Sequence, residues 1–490
     1  MYKYKIDKTY DKIQLEINIE TVPINDKGVG EVLSISLESY YKLNRAKNRI
    51  TDINSNQWDE VKKITNPYEF IHTFNSKKKT IDSRSIALYR PLSRSFFKMI
   101  EICSSFLKKS RTKKQDLGNP ARKHNEETPS EARELEGLKP SHQDLGNPAR
   151  KQSSFLEKSR AKNDEENPAR TENGDNNTDN NTEYDEGGSS REPWVPSLIS
   201  GHIAEGPGGF IEAIRYIRKQ NNHNDDLAFG MTLIKYDKSD YKKINVLGWH
   251  KSNRFLFNNP EVRILNGEDG TGNIYKIENI NFFNNAIRNA SPTGEGADIL
   301  TGDGGFDFSI DYNYQEQLSC KLIFSQILCA LKCQKKNGTF ICKFFDLNLY
   351  FTTEMLYLLY LTYDTLYIYK PFTSRIANSE KYIVCTNFNG IDNELLDNLF
   401  NVLDKWNTYE DKTINYIFKT IPSDFIDKIK EINIEIIDSQ IKSINNTIDI
   451  IKTNKIVTDK KWYDATVKLQ IQKATQWCKT YNIPYNYENK

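Results

Sequence analysis

Ala204-Glu205-Gly206-Pro207-Gly208-Gly209-Phe210 lies between two apolar stretches, Val195–Ile203 before it and Ile211–Arg218 after it. The first reads as a strand and the second as a helix. A glycine-rich turn between strand and helix lets the backbone approach a nucleotide-like ligand closely. Gly206, Gly208 and Gly209 admit conformations that a Cβ forbids, and Pro207 stiffens the turn. The spacing is not GxGxxG and no GK[ST] follows, which argues against a dinucleotide fingerprint and against a P-loop. By itself the stretch fits an ordinary tight turn equally well, so its partners along the chain decide the reading.

Outward from the turn, strand-like and helix-like runs alternate over 196–390. Leu198–Ala204, Ala228–Ile234, Ala297–Thr301, Gly338–Phe344, Thr365–Tyr369 and Glu380–Thr386 read as strands. Ile211–Arg218, Ile280–Ile287, Gln315–Lys332 and Thr352–Tyr363 read as helices. This order predicts an α/β domain with a mostly parallel sheet covered on both faces. Ligands of such sheets sit beyond the carboxyl ends of the strands, where the glycine turn, Asp303 and Lys343 all fall.

The flanks differ in composition. Residues 1–88 mix short alternating runs (Ile13–Ile19, Glu31–Leu37) with polar loops, as a small α+β region does. Phe96, Phe97, Ile100 and Phe106 recur at helical spacing over 91–106, so 89–106 is taken as a helix belonging to the central domain. Residues 107–195 are rich in Lys, Arg, Glu, Asn, Pro and Gly and contain internal copies. Gln115–Lys123 recurs at Gln143–Lys151, and Ser104–Arg111 nearly recurs at Ser153–Arg160. Such a stretch buries too little apolar surface to offset its chain entropy, and is expected to be a disordered insertion grown by duplication. From 391 to 490 apolar residues recur three and four apart, predicting a helical C-terminal region.

Bulk properties narrow the class. A chain of 490 residues allows about two or three domains. A net charge of +2 provides no global field towards nucleic acid, so any basic surface is local. The seven cysteines form no CxxC pair and His is scarce, which argues against a zinc site. Most cysteines lie in apolar runs, as buried reduced thiols of an intracellular protein do. The N-terminus shows no apolar signal region, and Met355–Tyr363 is too short to cross a membrane.

Four residues stand out chemically. Asp303 follows an apolar strand and is flanked by glycines in Thr301-Gly302-Asp303-Gly304-Gly305. Lys343 is the one charge in the strand Gly338–Lys343. Glu380 precedes a strand in Lys370–Tyr382, and Lys98 ends the phrase Ser93-Arg94-Ser95-Phe96-Phe97-Lys98. Singly, each also fits a solvated acid, a snorkelling lysine or a surface lysine.

In order and spacing, Lys98, the glycine turn, Asp303, Lys343 and Glu380 resemble the Lys-Asp-Lys-Glu tetrad of the FtsJ-like (RrmJ-type) RNA 2′-O-ribose methyltransferases. Ser93–Lys98, Ala204–Ile214, Asn266–Ile274, Gly302–Ser309 and Lys370–Cys385 look closest to the mRNA cap 2′-O-methyltransferase branch, particularly versions encoded by large DNA viruses. The Asn, Lys and Ile bias fits an AT-rich genome, that of a giant virus or of an intracellular microbe. The resemblance covers Tyr89–Glu101 and about 196–390.

The resemblance implies a Rossmann-like fold that binds S-adenosyl-L-methionine. It also implies RNA as partner (capped mRNA in the closest branch), capping-apparatus proteins as associates, and a host cytoplasmic or virion location for a viral protein. Lys343 would be the central catalytic residue, orienting the ribose 2′-hydroxyl or accepting its proton. A lysine in that role must give up its own proton near neutrality, which burial or a second ammonium favours, and Lys98 would supply that second charge. Asp303 and Glu380 would hold the lysines. Glu205, Gly206, Pro207, Gly208, Gly209 and Phe210 would meet the methionine portion of the cofactor, with Asp303 beside them. Asp269 would serve the adenosine, although a polar turn explains it nearly as well. The sequence departs from the bacterial pattern where His202 occupies the expected acidic position and Glu205 sits inside the turn. Arg375 and Asn378 either touch substrate or brace their loop. Lys77, Lys78, Lys79, Arg84, Arg90 and Arg94 form a basic approach to Lys98, suited to phosphate contact. Two other readings stay open, methylation of ribosomal or other internal RNA and a non-catalytic RNA-binding scaffold.

Overall fold

Ten strands order the residues that the computed structural model describes, namely 2–73, 85–107, 196–234, 248–249, 251–305 and 312–486. They are β1 (Tyr2–Ile6), β2 (Ile17–Pro23), β3 (Ile199–Ile203), β4 (Leu227–Met231), β5 (Val262–Leu265), β6 (Ala297–Gly302), β7 (Gln334–Phe344), β8 (Tyr363–Lys370), β9 (Lys381–Phe388) and β10 (Lys412–Phe418). Eight form one sheet in the order β1-β8-β9-β7-β6-β3-β4-β5, and β2 pairs with β10 in a second. The pairs β5–β4, β4–β3, β3–β6 and β6–β7 are parallel. β9 runs against both β7 and β8, and β1 runs against β8. The fold is therefore α/β with a mostly parallel sheet, as the alternation of elements predicts.

The central strands carry the reason for their place. β3 (Ile-Ser-Gly-His-Ile) and β4 (Leu-Ala-Phe-Gly-Met) are buried at every position. Near-continuous burial is what strands covered by helices on both faces require. The helices are α1 (Leu37–Thr51), α2 (Ser55–Thr65), α3 (Ser95–Ile102), α4 (Gly209–Gln220), α5 (Asn253–Phe257) and α6 (Ile277–Ala290), followed by α7 (Gln315–Cys333), α8 (Tyr350–Thr362), α9 (Asn393–Thr408), α10 (Ser423–Lys452), α11 (Lys455–Thr458) and α12 (Lys460–Thr480). α8 is enclosed almost all round, and its buried Glu354 accepts the backbone N–H groups of Ile417 and Phe418 at 3.0 Å each, fastening β10 to the core.

The chain leaves β3 towards β4 and β5 on one side and returns to β6 on the other. Strand order reverses at β3, and a crevice opens there beyond the carboxyl ends. The glycine turn follows β3, Asp303 follows β6, and Lys343 is the penultimate residue of β7.

Several elements differ from the sequence expectation. β5 and β1 were not expected; both are short and lie on sheet edges, where hydrophobic patterning is weak. The region after 391 contains β10 between its helices, paired with β2 of the N-terminal region. Of the two alternating N-terminal runs, the first enters a strand only from Ile17, and the second contributes the isolated bridge Ser34–Leu349. The helix expected over 91–106 is α3 followed by a wider π-type turn, Cys103–Leu107. Apart from Leu107, the repeat-bearing stretch 107–195 lies outside the described residues. No described helix is long and apolar enough to cross a membrane.

Candidate active site

Gly208 takes φ +96°, left-handed backbone that favours glycine, and α4 starts at the next residue. A Cβ on Gly209 would run into the hydroxyls of Ser93 and Ser95, so the start of α3 seats directly on the start of α4. Glu212, in the first turn of α4, accepts the Leu92 N–H at 2.7 Å and the Tyr89 hydroxyl at 3.1 Å. Burial pushes its carboxyl up to about 7. These contacts bring the segment that carries Lys98 to the glycine turn, although they are far apart in the chain.

Lys98 then reaches Glu380. Its Nζ lies 2.7 Å from Glu380 Oε1 and 2.8 Å from Oε2. Burial favours the neutral form of Glu380, but the nearby ammonium groups of Lys98 and Lys343 overcome it and hold the carboxyl down at about 2. Lys343 Nζ donates to the Asp303 carbonyl at 2.6 Å and lies 3.2 Å from Asp303 Oδ1. The Tyr382 hydroxyl donates to the same Oδ1 at 3.4 Å. All four charged side chains are mostly buried, with 12–16% of each exposed. The four candidates named from the sequence therefore converge as two neighbouring ion pairs at the carboxyl end of the sheet.

The loop that presents Glu380, residues 371–380, is held from several directions. Lys370 Nζ donates to the Asn378 carbonyl at 2.7 Å, the Asn378 side chain at 3.1 Å and the Glu380 carbonyl at 2.7 Å. Ser374 donates to Glu380 Oε1 at 3.0 Å. Arg375 grips the fully buried Glu69 with two nitrogens, at 2.5 and 2.9 Å. Burial would raise the Glu69 carboxyl, yet Arg375 and Arg94 hold it well below the ordinary carboxylate range. Both Arg375 and Asn378 thus brace their loop. Sequence reasoning named neither Lys370 nor Glu69 for the site; Lys370 opens the phrase Lys370–Tyr382, whereas nothing local marks Glu69.

The candidates for cofactor contact divide. Gly206 and Pro207 are half-buried at the crevice, whereas Gly208, Gly209 and Phe210 are buried, the last with its ring 5.7 Å from that of Tyr382. Glu205 already has partners within the protein. Its carboxylate is buried beneath the turn, bonded to the Thr301 hydroxyl and 3.2 Å from His202 Nδ1. A carboxylate so occupied supports the turn from below. Asp269 is also occupied within its own loop. It accepts Thr271 N–H at 2.9 Å, Thr271 Oγ1 at 2.7 Å, Asn279 Nδ2 at 2.9 Å and Lys276 Nζ at 2.6 Å. Lys276 foremost holds its carboxyl below the ordinary value. The loop nevertheless borders the crevice, because Thr271 accepts from the Ile234 N–H just beyond β4 at 2.8 Å.

Of the basic approach, Lys77–Lys79 and Arg84 lie outside the described residues. Arg90 is taken up by Ser85 and the Ala87 carbonyl. Arg94 stands one turn before Lys98, partly exposed, with Glu69 at 3.8 Å.

Residues 191–388 match the model of the family described as FtsJ-like methyltransferase. Curated relatives named cap-specific mRNA (nucleoside-2'-O-)-methyltransferase 1 align with the chain. The Danio rerio protein is 34% identical over 229 residues, 47% of this chain and 26% of its own length. The Homo sapiens protein is 36% identical over 211 residues, 43% of this chain and 24% of its own length. The Leishmania braziliensis protein is 34% identical over 194 residues, 39% of this chain and 44% of its own length. The matched part thus spans from about a quarter to under half of these relatives. These three are eukaryotic proteins, and the viral origin expected from the sequence is not borne out. The resemblance carried by the glycine turn and the phrases around Asp303 and Glu380 is borne out by the match of residues 191–388 to the FtsJ-like methyltransferase model.

Proposed function

We propose that this protein transfers the methyl group of S-adenosyl-L-methionine to the 2′-hydroxyl of a cap-proximal ribose of mRNA. The observation that carries the reading is the meeting of Lys98–Glu380 and Lys343–Asp303 beside the glycine turn. The names of the curated relatives favour capped mRNA over internal RNA.

The donor set fits the cofactor. Half-buried turn backbone at Gly206 and Pro207 lies one strand away from the Asp303 carboxylate, so neutral backbone and an anion flank the crevice. That combination suits the charged amino-acid end of S-adenosyl-L-methionine. When bound, the cofactor supplies an activated methyl on a sulfonium.

The chain's own residues do the rest. Lys343, fixed through the Asp303 carbonyl and carboxylate, orients the ribose 2′-oxygen; once it has released one ammonium proton to solvent, its neutral amine takes the hydroxyl proton as the oxygen–methyl bond forms and the methyl–sulfur bond breaks. Asp303 limits the positions open to the Lys343 ammonium and balances its charge. Lys98 and Glu380 form the opposite wall and keep that side of the ribose pocket fixed. Orientation accounts for most of the acceleration, since the methyl group is already activated. Proton transfer adds about 10²–10⁴-fold. Arg94 contributes a phosphate contact beside Lys98, which positions RNA without reading its bases.

Labelled methyl uptake by short capped and uncapped RNAs of identical sequence tests the substrate. Uptake confined to the capped RNA is expected. Equal uptake by both would redirect the reading to internal RNA, and no uptake by any RNA would remove it.

A further inference from the structure

Glu101 is fully buried on α3, one turn beyond Lys98, and its carboxylate accepts four hydrogen bonds. The donors are the Phe372 N–H at 2.7 Å, the Thr373 N–H at 2.9 Å, the Thr373 hydroxyl at 2.7 Å and the Trp477 indole N–H at 3.0 Å. Three of them open the loop that ends at Glu380. The fourth comes from α12, near the far end of the chain.

We propose that Glu101 is a positioning residue that sets the spacing of Lys98 and Glu380, and that through Trp477 it makes α12 part of the support of the active site. The inference rests on the reading of Lys98 and Glu380 as parts of the methyl-transfer site. Residues three apart on a helix share a side, so Lys98 and Glu101 address two points of one loop from a single rigid element. Glu101 fixes where the loop begins, and Lys370 fixes where it ends. The Trp477 ring packs 5.7 Å from Phe97 and 4.7 Å from Tyr481, so the indole is held in place by α3 and by the residue that follows α12. α12 is in turn tied to the N-terminal region by Gln470, whose Nε2 donates to the carbonyls of Lys63, Ile64 and Asn66 at 2.6–3.0 Å.

Burial pushes the Glu101 carboxyl up, and the four donors around its two oxygens oppose that by favouring the ionised form. Glu101→Gln turns one oxygen into a donor that faces the donors already there, at constant size. Trp477→Phe keeps a ring and removes only the fourth donor.

The test uses the full chain, capped RNA and two readouts, steady-state methyl transfer and hydrogen exchange of the 371–380 amides. In Glu101→Gln, kcat is expected to fall about tenfold or more, with KM for RNA and cofactor within about twofold, as loss of positioning without loss of binding requires. In a Glu380→Gln background the same change is expected to add less than about twofold, because both act through one group. Exchange of the loop amides is expected to quicken at least about tenfold, and Trp477→Phe is expected to move both readouts in the same direction by about threefold. An unchanged kcat in Glu101→Gln, or its full loss repeated in the Glu380→Gln background, would overturn the proposal. Should Glu101→Gln not fold, Trp477→Phe decides alone, and unchanged turnover and exchange there would overturn it. Should the wild type methylate no RNA, the functional reading fails by itself, and unchanged loop exchange in the variants then refutes the clamp.

Discussion

Glu380 sits in a mostly dry setting, yet its carboxyl is held at about 2 by Lys98 and Lys343 against the effect of burial. A folded value below the unfolded one near 4.5 means that the stabilisation is fully present above about pH 4.5. It is lost as pH falls towards 2. Wild type should therefore exceed Glu380→Gln in stability at pH 6 by on the order of 1–3 kcal/mol, and the gap should close on acidification. Denaturant unfolding of both proteins at pH 6, 4 and 3 measures this. A gap that stays constant over that range would show that the pair does not act as an ion pair in the folded protein. The same residues were also the most legible in the sequence. Asp303 and Lys343 end apolar strands, where a lone charge is conspicuous. The partners of Glu205 and Asp269 were not legible, because sequence shows a carboxylate's position but not which neighbouring donors engage it.

At the scale of elements, buried carboxylates act as fasteners between pieces remote in sequence. Glu212 joins α4 to the segment before α3, Glu316 of α7 accepts the N–H groups of Asn348 and Leu349 after β7, and Glu354 of α8 holds β10. Burial raises Glu354 to about 8. Here the folded value lies above the unfolded one, so the sign is opposite to that of Glu380. The stabilisation is complete below about pH 4.5 and is lost as pH rises through 8. Stability of wild type relative to Glu354→Gln should thus decline between pH 5 and 8, read by thermal unfolding. A difference that grows over this range would contradict the assignment. Such fasteners explain why β10 and its partner β2 escaped a reading based on hydrophobic period. β10 is set between long helical repeats, and its pairing partner lies almost four hundred residues away.

At the scale of the molecule, the order of alternating elements was enough to read the parallel sheet, because strands buried on both faces leave a continuous apolar signature. The role of the flanks was not legible. β1 extends the central sheet beside β8, Glu69 of the N-terminal region braces Arg375, and Trp477 of α12 reaches the loop that carries Glu380. These contacts are made by single side chains at long sequence separation, which no local pattern announces. They also give the ends of the chain a part in shaping the crevice formed by the central domain.

The central claim is that Lys343, in the company of Asp303, Lys98 and Glu380, acts on a ribose 2′-oxygen. Mass-spectrometric mapping of a capped transcript, treated with wild type or with Lys343→Ala and S-adenosyl-L-methionine, tests it most directly. With wild type a methyl group is expected on the 2′-oxygen of a cap-proximal nucleotide, and with Lys343→Ala a rate at least about 10²-fold lower. A methyl group on a base, or undiminished ribose methylation by Lys343→Ala, would contradict it.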